Sequence, residues 1–412
     1  MDANATASTS SPPHTSWGTI AVVYVAGVVT AMSLGKFSPV EPAVADELGL
    51  SLTQSGWVIS MVVGVGAAVG LPAGYLVHRF GARRSLVAGL TLTALAGATG
   101  AAAAGYPWLL TARAVEGVGY LLVTIACPAL ILRLARERDR ATALSVWATF
   151  VPLGLGAGTL TGGLIGSTLG WRTWIAALAA LTLTMALLTR TLLPRGAARP
   201  PAAVRLPRAN ALLWPAVLAS ALCLAALVTL PVIVLLPTFL VDRHGYSPAT
   251  AGATTSVISL LSALGGLAAG ALLRRRTPIA ILSSAGLLTI PAAWLMFAPA
   301  PTPSATLTSA ATISIVNGYL GALVLATLPL VLQHLDHADV GNAVVAQAGS
   351  LGVLLGPPLF GLITEGPGPR TLIPVTAIVI TAAVAALLLV AGRERRHRRG
   401  VVPADQARAQ EG

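Results

Sequence analysis

Arg113 and Glu116 stand three residues apart in an otherwise apolar run. On a helix that spacing puts both side chains on one face, close enough to pair. A charge held in hydrocarbon costs about 2.5–3.5 kcal/mol on insertion scales, so such groups face a polar cavity or each other. The carboxyl can gain and lose a proton, whereas the guanidinium stays charged. Glu116 is the one acid well inside an apolar run, because Glu41 and Glu365 fall at run ends. It is therefore the leading proton carrier, with a self-neutralising structural pair as the alternative. Lys36, the sole lysine, lies nineteen residues after Trp17, roughly 28 Å along a helix. It is either a snorkelling lysine at the membrane interface or a cation that attracts an anionic solute. Tyr120, Asn317, Tyr319 and Gln347 are further polar candidates for a pathway, with helix-packing hydrogen bonds as the plainer reading of the last three. His334, Asp336, His337 and Asp339 form a short polar loop that reads as solvated and not as a metal site.

The elements that must position these groups are membrane helices. The chain has 412 residues, 55% hydrophobic and 10% charged, against about 25% charged in a soluble domain. Its mean hydropathy is +0.80, which excludes an ordinary soluble core. The net charge of +12 comes almost wholly from arginine in short clusters between apolar runs. No aromatic-interleaved basic face exists, so a nucleic-acid partner is not expected. Cys127 and Cys223 lie in apolar runs and lack metal-ligand spacing. The first sixteen residues contain no Lys or Arg, so a cleaved signal peptide is not expected.

A helix crossing the hydrocarbon needs roughly 20 apolar residues. Twelve spans are expected, at 17–41, 54–77, 84–104, 107–134, 141–168, 172–193, 213–240, 249–273, 278–298, 305–333, 340–364 and 371–391. An even count puts both termini on one side, and most arginines fall on that side. The opposite loops hold only Arg172, Arg243 and Arg370. The positive-inside rule then makes both termini cytoplasmic, in a multi-pass cell-membrane protein surrounded by lipid bilayer. A Pro/Arg-rich linker at 194–212 divides a six-span half at 17–193 from a second at 213–392, flanked by tails at 1–16 and 393–412.

The halves repeat. Gly49, Ser51, Gly56, Gly70, Gly74 and Arg79 each find the same residue type 196 positions later, at Gly245, Ser247, Gly252, Gly266, Gly270 and Arg275. Gly154, Gly158 and Gly163 find Gly352, Gly356 and Gly361 at an offset of 198. Gly154, Gly158 and Gly162 share one helix face, where small residues let helices approach closely. Gly163, Gly352, Gly356 and Pro357 extend the same helix-packing set. Two related halves imply alternating access around a site near the midplane.

Residues 74–85, GYLVHRFGARRS, carry a resemblance. With Gly74, Arg79, Gly81, Arg83 and Arg84 in place, they resemble the loop 2–3 signature of the major facilitator superfamily, G-x-L-a-D-R-x-G-r-R. The run Arg113-Ala-Val-Glu-Gly-Val-Gly119 is similar to that family's fourth-helix motif, and 154–163 resembles its fifth-helix antiporter motif. The resemblance covers about 17–393. It implies an all-α fold of twelve transmembrane helices in two pseudo-symmetric halves, and a coupling role for Arg113. Two positions depart from the pattern: His78 stands for the loop Asp, and Thr159 for the Pro after Gly158. The stretch 74–85 is expected to be a turn in which Gly74 and Gly81 permit a close reversal. Asp336 and Asp339 are expected to supply the carboxylate missing at His78 to Arg79, Arg83 or Arg84.

No cofactor is expected. A Walker loop needs Gly-Lys-Ser/Thr, and Lys36 is followed by Phe37. There is no G-x-S-x-G stretch and no catalytic constellation, so an enzyme is not expected. The sequence points to a monomeric secondary transporter of a small solute, proton-coupled, with efflux by antiport ahead of uptake of a small organic anion. A receptor of transporter fold without turnover is the reading from another class.

Overall fold

The computed structural model describes residues 15–147, 149–194, 209–275, 277–331 and 338–408. Among them there are helices and no strands. The first half comprises α1 (Trp17–Gly35), α2 (Glu41–Leu48), α3 (Leu52–Phe80), α4 (Ala82–Ala101), α5 (Tyr106–Leu134), α6 (Glu137–Trp147), α7 (Phe150–Leu169) and α8 (Trp171–Leu192). The second comprises α9 (Ala209–Val234), α10 (Leu236–His244), α11 (Pro248–Arg274), α12 (Ile279–Ser284), α13 (Thr289–Phe297), α14 (Pro303–Val331), α15 (Ala338–Glu365) and α16 (Leu372–Arg408).

Eleven described helices are long and apolar enough to cross a membrane. The twelfth expected span is α4, which has the length but is diluted by Arg83, Arg84 and several Gly and Thr residues. It packs between α5 and α8. Gly119 and Gly89 let it do so, since a Cβ on Gly89 would lie 2.8 Å from the Gly119 carbonyl. The expected ninth span is one path in three pieces: α12, a 3₁₀ turn at Ala285–Leu288, and α13.

The glycine stripes act as the spacing requires. On α7, Gly154 lies against Val28 and Ala31 of α1, and Gly158 against the Met32 carbonyl. On α15, Gly352 lies against the Cys223 carbonyl and Gly356 against that of Leu227, both on α9. A side chain at Gly158 would meet backbone at 2.5 Å, so only glycine allows that approach. Gly162 faces Trp174 and Pro39, while Gly163 faces the Pro248 carbonyl of the other half. Thr159 is buried in an unbroken α7, its hydroxyl bonded to the Gly156 carbonyl at 3.0 Å.

The 74–85 stretch is not the loop expected. α3 continues through Gly74, His78 and Arg79 to Phe80, and α4 begins at Ala82. The whole reversal falls on Gly81, whose φ of +87° suits a residue without a Cβ. Gly81 N–H donates to Val77 at 3.0 Å, and Ser85 N–H donates to the Gly81 carbonyl at 3.0 Å, so both helices keep their ladders to the joint. Gly74 is not part of the reversal. The bend in α3 lies higher, at Val69 beside Gly70.

The halves meet along two seams, α3 with α15 and α7 with α11. Both seams are tight at the membrane end remote from the termini. There Gly361 abuts Thr53, and Gly163 abuts Pro248 and Gly252. Glu365 accepts from the Thr53 amide at 3.2 Å and its hydroxyl at 2.5 Å, capping α3 with a carboxylate from the other half.

Candidate functional site

α1 stops at Gly35, and a 3₁₀ turn containing Pro39 separates it from α2. Side chains on a helix lean toward its N-terminus. Lys36, at the end of α1, therefore reaches back into the bundle and not out to the interface. Its ammonium lies 2.7 and 2.8 Å from the two oxygens of Glu116. Its carbonyl accepts from Trp174 Nε1 at 2.9 Å, which pins the break to α8. The snorkelling expectation is thus overturned: Lys36 is 2% exposed.

Arg113 and Glu116 form the expected local pair, with Arg113 Nη1 at 2.6 Å from Glu116 Oε2. The rest of the guanidinium is held by main chain. Nε donates to Val58 O at 2.8 Å, and Nη2 donates to Ser33 O and Ile59 O, each at 3.1 Å. Helix carbonyls have a second lone pair for such bonds. Arg113 thereby ties α5 to α1 and α3. The Phe37 ring lies 5.1 Å from the Arg113 guanidinium carbon and 5.3 Å from the Lys36 nitrogen.

Two cations share one carboxylate. With all three groups ionised the cluster holds one positive charge in excess, in the core of the first half. Arg113 has three carbonyl partners besides Glu116. The Lys36 ammonium has no other hydrogen-bond or ion-pair partner among the described residues. The two cations therefore depend on Glu116 very unequally.

A cavity of about 150 Å³ lies between the halves, lined from one side by Leu34, Ile59, Ser60 and Tyr120 and from the other by Leu230 and Pro357 among others. Lys36, Arg113 and Glu116 do not line it, but residues next to them do. Leu34 follows Ser33, whose carbonyl Arg113 engages, Ile59 supplies another such carbonyl, and Tyr120 sits one turn beyond Glu116. The lining is apolar apart from the Ser60 and Tyr120 side chains.

The remaining candidates separate. Asn317 accepts from the Thr229 hydroxyl at 2.8 Å, joining α14 to α9. Gln347 donates to the Ala67 carbonyl at 2.7 Å, joining α15 to α3 across the halves. Arg83 donates to the Arg190 carbonyl at the end of α8 in its own half, a favourable place for a cation. Arg79 and Arg84 are exposed. Asp336 lies outside the described residues, and His78 and Asp339 are described only as helical positions of α3 and α15. Sequence reasoning missed Glu41, set aside as a run-end acid. It is 5% exposed and accepts from the Thr238 hydroxyl at 2.9 Å, across the halves.

Two halves of membrane-spanning helices around a cavity, with an ion-paired cluster buried behind its lining, define a membrane transporter and not an enzyme. The chain belongs to the Major Facilitator Superfamily, whose family description matches residues 23–345. It is 28% identical over 405 residues to the 3-(3-hydroxy-phenyl)propionate transporter of Escherichia coli strain K12, covering 92% of this chain and 94% of that protein. A shorter likeness, 32% over 184 residues, links it to the puromycin resistance protein of Streptomyces alboniger, covering 44% of this chain and 36% of that one. Among solved structures, a bacterial homolog of the human lysosomal transporter Spinster, inward-facing and unoccupied, superposes with a TM-score of 0.72 at 19% identity. It covers 93% of this chain and 97% of that one.

Proposed function

We propose that the protein is a proton-coupled symporter of a compact, largely apolar carboxylate, working by alternating access with both termini in the cytoplasm. The observation that carries this reading is the unequal sharing of Glu116. When Glu116 takes a proton, Arg113 keeps its three carbonyl partners, but Lys36 is left as a buried cation without a counter-ion. An uncompensated buried charge costs several kcal/mol. A solute carboxylate relieves that cost, so proton and anion each favour the binding of the other. The apolar cavity takes the rest of the solute, and 150 Å³ is the size that accepts a benzene ring. The full-length likeness to a transporter of an aromatic acid supports the same substrate class. Closure at the end remote from the termini supports an inward-facing state.

Uptake of radiolabelled phenylpropionate into proteoliposomes under an imposed pH gradient tests this. The gradient is expected to drive accumulation in the wild type and not in Glu116→Gln. Lys36→Met is expected to lose carboxylate binding while remaining folded. Undiminished pH-driven accumulation by Glu116→Gln would remove Glu116 from the mechanism. Efflux by antiport is the second reading, favoured by the partial likeness to a resistance protein. Carboxylate binding that strengthens as pH rises would select it.

A further inference from the structure

Glu41 is the described acid that the proposed mechanism leaves unused yet the fold buries. It opens α2, directly after the 3₁₀ turn Ser38–Val40. That turn packs on α7 of its own half and on α10 and α11 of the other. The carboxylate accepts from Thr238 of α10 at 2.9 Å, so the bond itself spans the two halves. On the α3 side the buried Ser55 hydroxyl lies beside the carboxyl, though without a well-formed hydrogen bond.

No cation answers this carboxylate among the described residues. From α10 the ionisable groups are Asp242, which is a like charge one turn from Thr238, then Arg243 and His244. Burial pushes the Asp242 carboxyl above its usual range, with Arg243 pulling the other way. The Arg243 guanidinium lies over the Phe239 ring at 5.5 Å, and His244 is bonded to Thr306 at 2.9 Å. On α2 itself, Glu47 is committed to Arg172 at 2.9 Å and Trp171 at 2.6 Å. α7 and α11 bring no ionisable side chain to this end. The N-terminus of α2 favours an anion by about 0.3–1 kcal/mol. Taking a carboxylate out of water without a counter-ion costs several. A neutral carboxyl keeps the Thr238 bond, can exchange donor and acceptor roles with the adjacent Ser55 hydroxyl, and removes the cost of a buried charge without a counter-ion.

We propose that Glu41 is a second proton-binding site, loaded from the membrane face at which the halves are closed, and that its proton is a condition of that closure. The proton is returned to the same face when the halves part, because Glu41 is then rehydrated. Glu41 therefore sets the balance between the two states without adding to the protons carried per cycle. The inference rests on the alternating-access reading, but not on Glu116 or on the nature of the solute.

The test uses the full chain in lipid nanodiscs, with Cys127 and Cys223 replaced by alanine and spin labels at Ala43 and Ser304, both exposed positions of opposite halves. Distance distributions are recorded from pH 5 to 9. In the wild type the ratio of parted to closed molecules is expected to rise with pH, by up to tenfold per unit for one linked proton. Glu41→Gln, which mimics the neutral acid, is expected to stay closed throughout, whereas Glu116→Gln still titrates. Glu41→Asp, which retains an ionisable group, is expected to titrate with a displaced midpoint. A wild-type titration carried unchanged by Glu41→Gln would overturn this proposal alone. A single closed distance at every pH in every variant would overturn both the proposal and the alternating-access reading.

Discussion

The two halves solve one packing problem with different chemistry. In the first, α5 is joined to α1 by Glu116 and Lys36, and to α3 by Arg113 on the Val58 carbonyl. In the second, the corresponding helices use neutral groups. α14 is joined to α9 by Asn317 and Thr229, and to α11 by Ser314, whose hydroxyl donates to Ile258 O at 2.7 Å. Asn317 precedes Gly318 as Glu116 precedes Gly117, and each glycine lies against a carbonyl of the neighbouring helix, Ser262 and Val62 respectively. The polar joints are thus a shared structural device, and the charge is an addition on one side. Helix joining does not require ions here, since the second half manages without them. That separates what Lys36, Arg113 and Glu116 do for packing from what they are proposed to do for coupling.

The largest break in this comparison comes from removing the shared anion. Glu116→Ala leaves Lys36 and Arg113 buried together without a counter-ion. Breaking a buried pair from one side typically costs about 3–5 kcal/mol. The double variant Lys36→Met/Glu116→Ala removes one charge of each sign and leaves Arg113 on its carbonyls, so it is expected to recover most of that loss. Thermal unfolding in detergent, run as a double-mutant cycle, checks both. Equal losses in the single and double variants would show that the cost is cavity and not charge.

Much of the architecture was legible because it rests on composition and spacing. Gly154, Gly158, Gly352 and Gly356 announced close helix approaches, though not that α1 and α9 are the partners, and Arg113 with Glu116 announced a pair. What was not legible depends on where chain breaks fall. The span expected at 17–41 runs through Pro39, and nothing in its spacing tells that Lys36 turns back toward Glu116 and not outward. Glu41 looked like an interface acid because it ends an apolar run, and only the approach of α10 from residues nearly two hundred positions away buries it. The 74–85 stretch misled for a related reason. Its charges and two glycines read as a loop, whereas helices need only one positive-φ residue to reverse, and Gly81 suffices.

A smaller effect is expected from the neutral joint. Asn317→Ala removes the Thr229 bond in a part-buried place. A neutral hydrogen bond is worth about 0.5–1.5 kcal/mol net. The variant should therefore unfold slightly earlier while the pH dependence of transport is unchanged. A lost or displaced pH profile in Asn317→Ala would mean that coupling is distributed over both halves, and the comparison drawn above would fail.

The smallest expected effect on stability falls on the bond that joins the halves at the surface. Glu365 is exposed, and its contact with Thr53 is charge-assisted but solvated. Glu365→Gln is expected to change unfolding by less than about 1 kcal/mol, in keeping with exposed ionic contacts. Its effect on the conformational balance should be clearer than its effect on stability. If transport proceeds by alternating access as proposed, the contact belongs to the state closed at the end remote from the termini, so weakening it destabilises that state and not the other. The spin-label pair at Ala43 and Ser304 would register this as a higher parted fraction at every pH, with the slope of the titration preserved. A changed slope would place Glu365, and not Glu41 alone, among the groups that bind the closing proton.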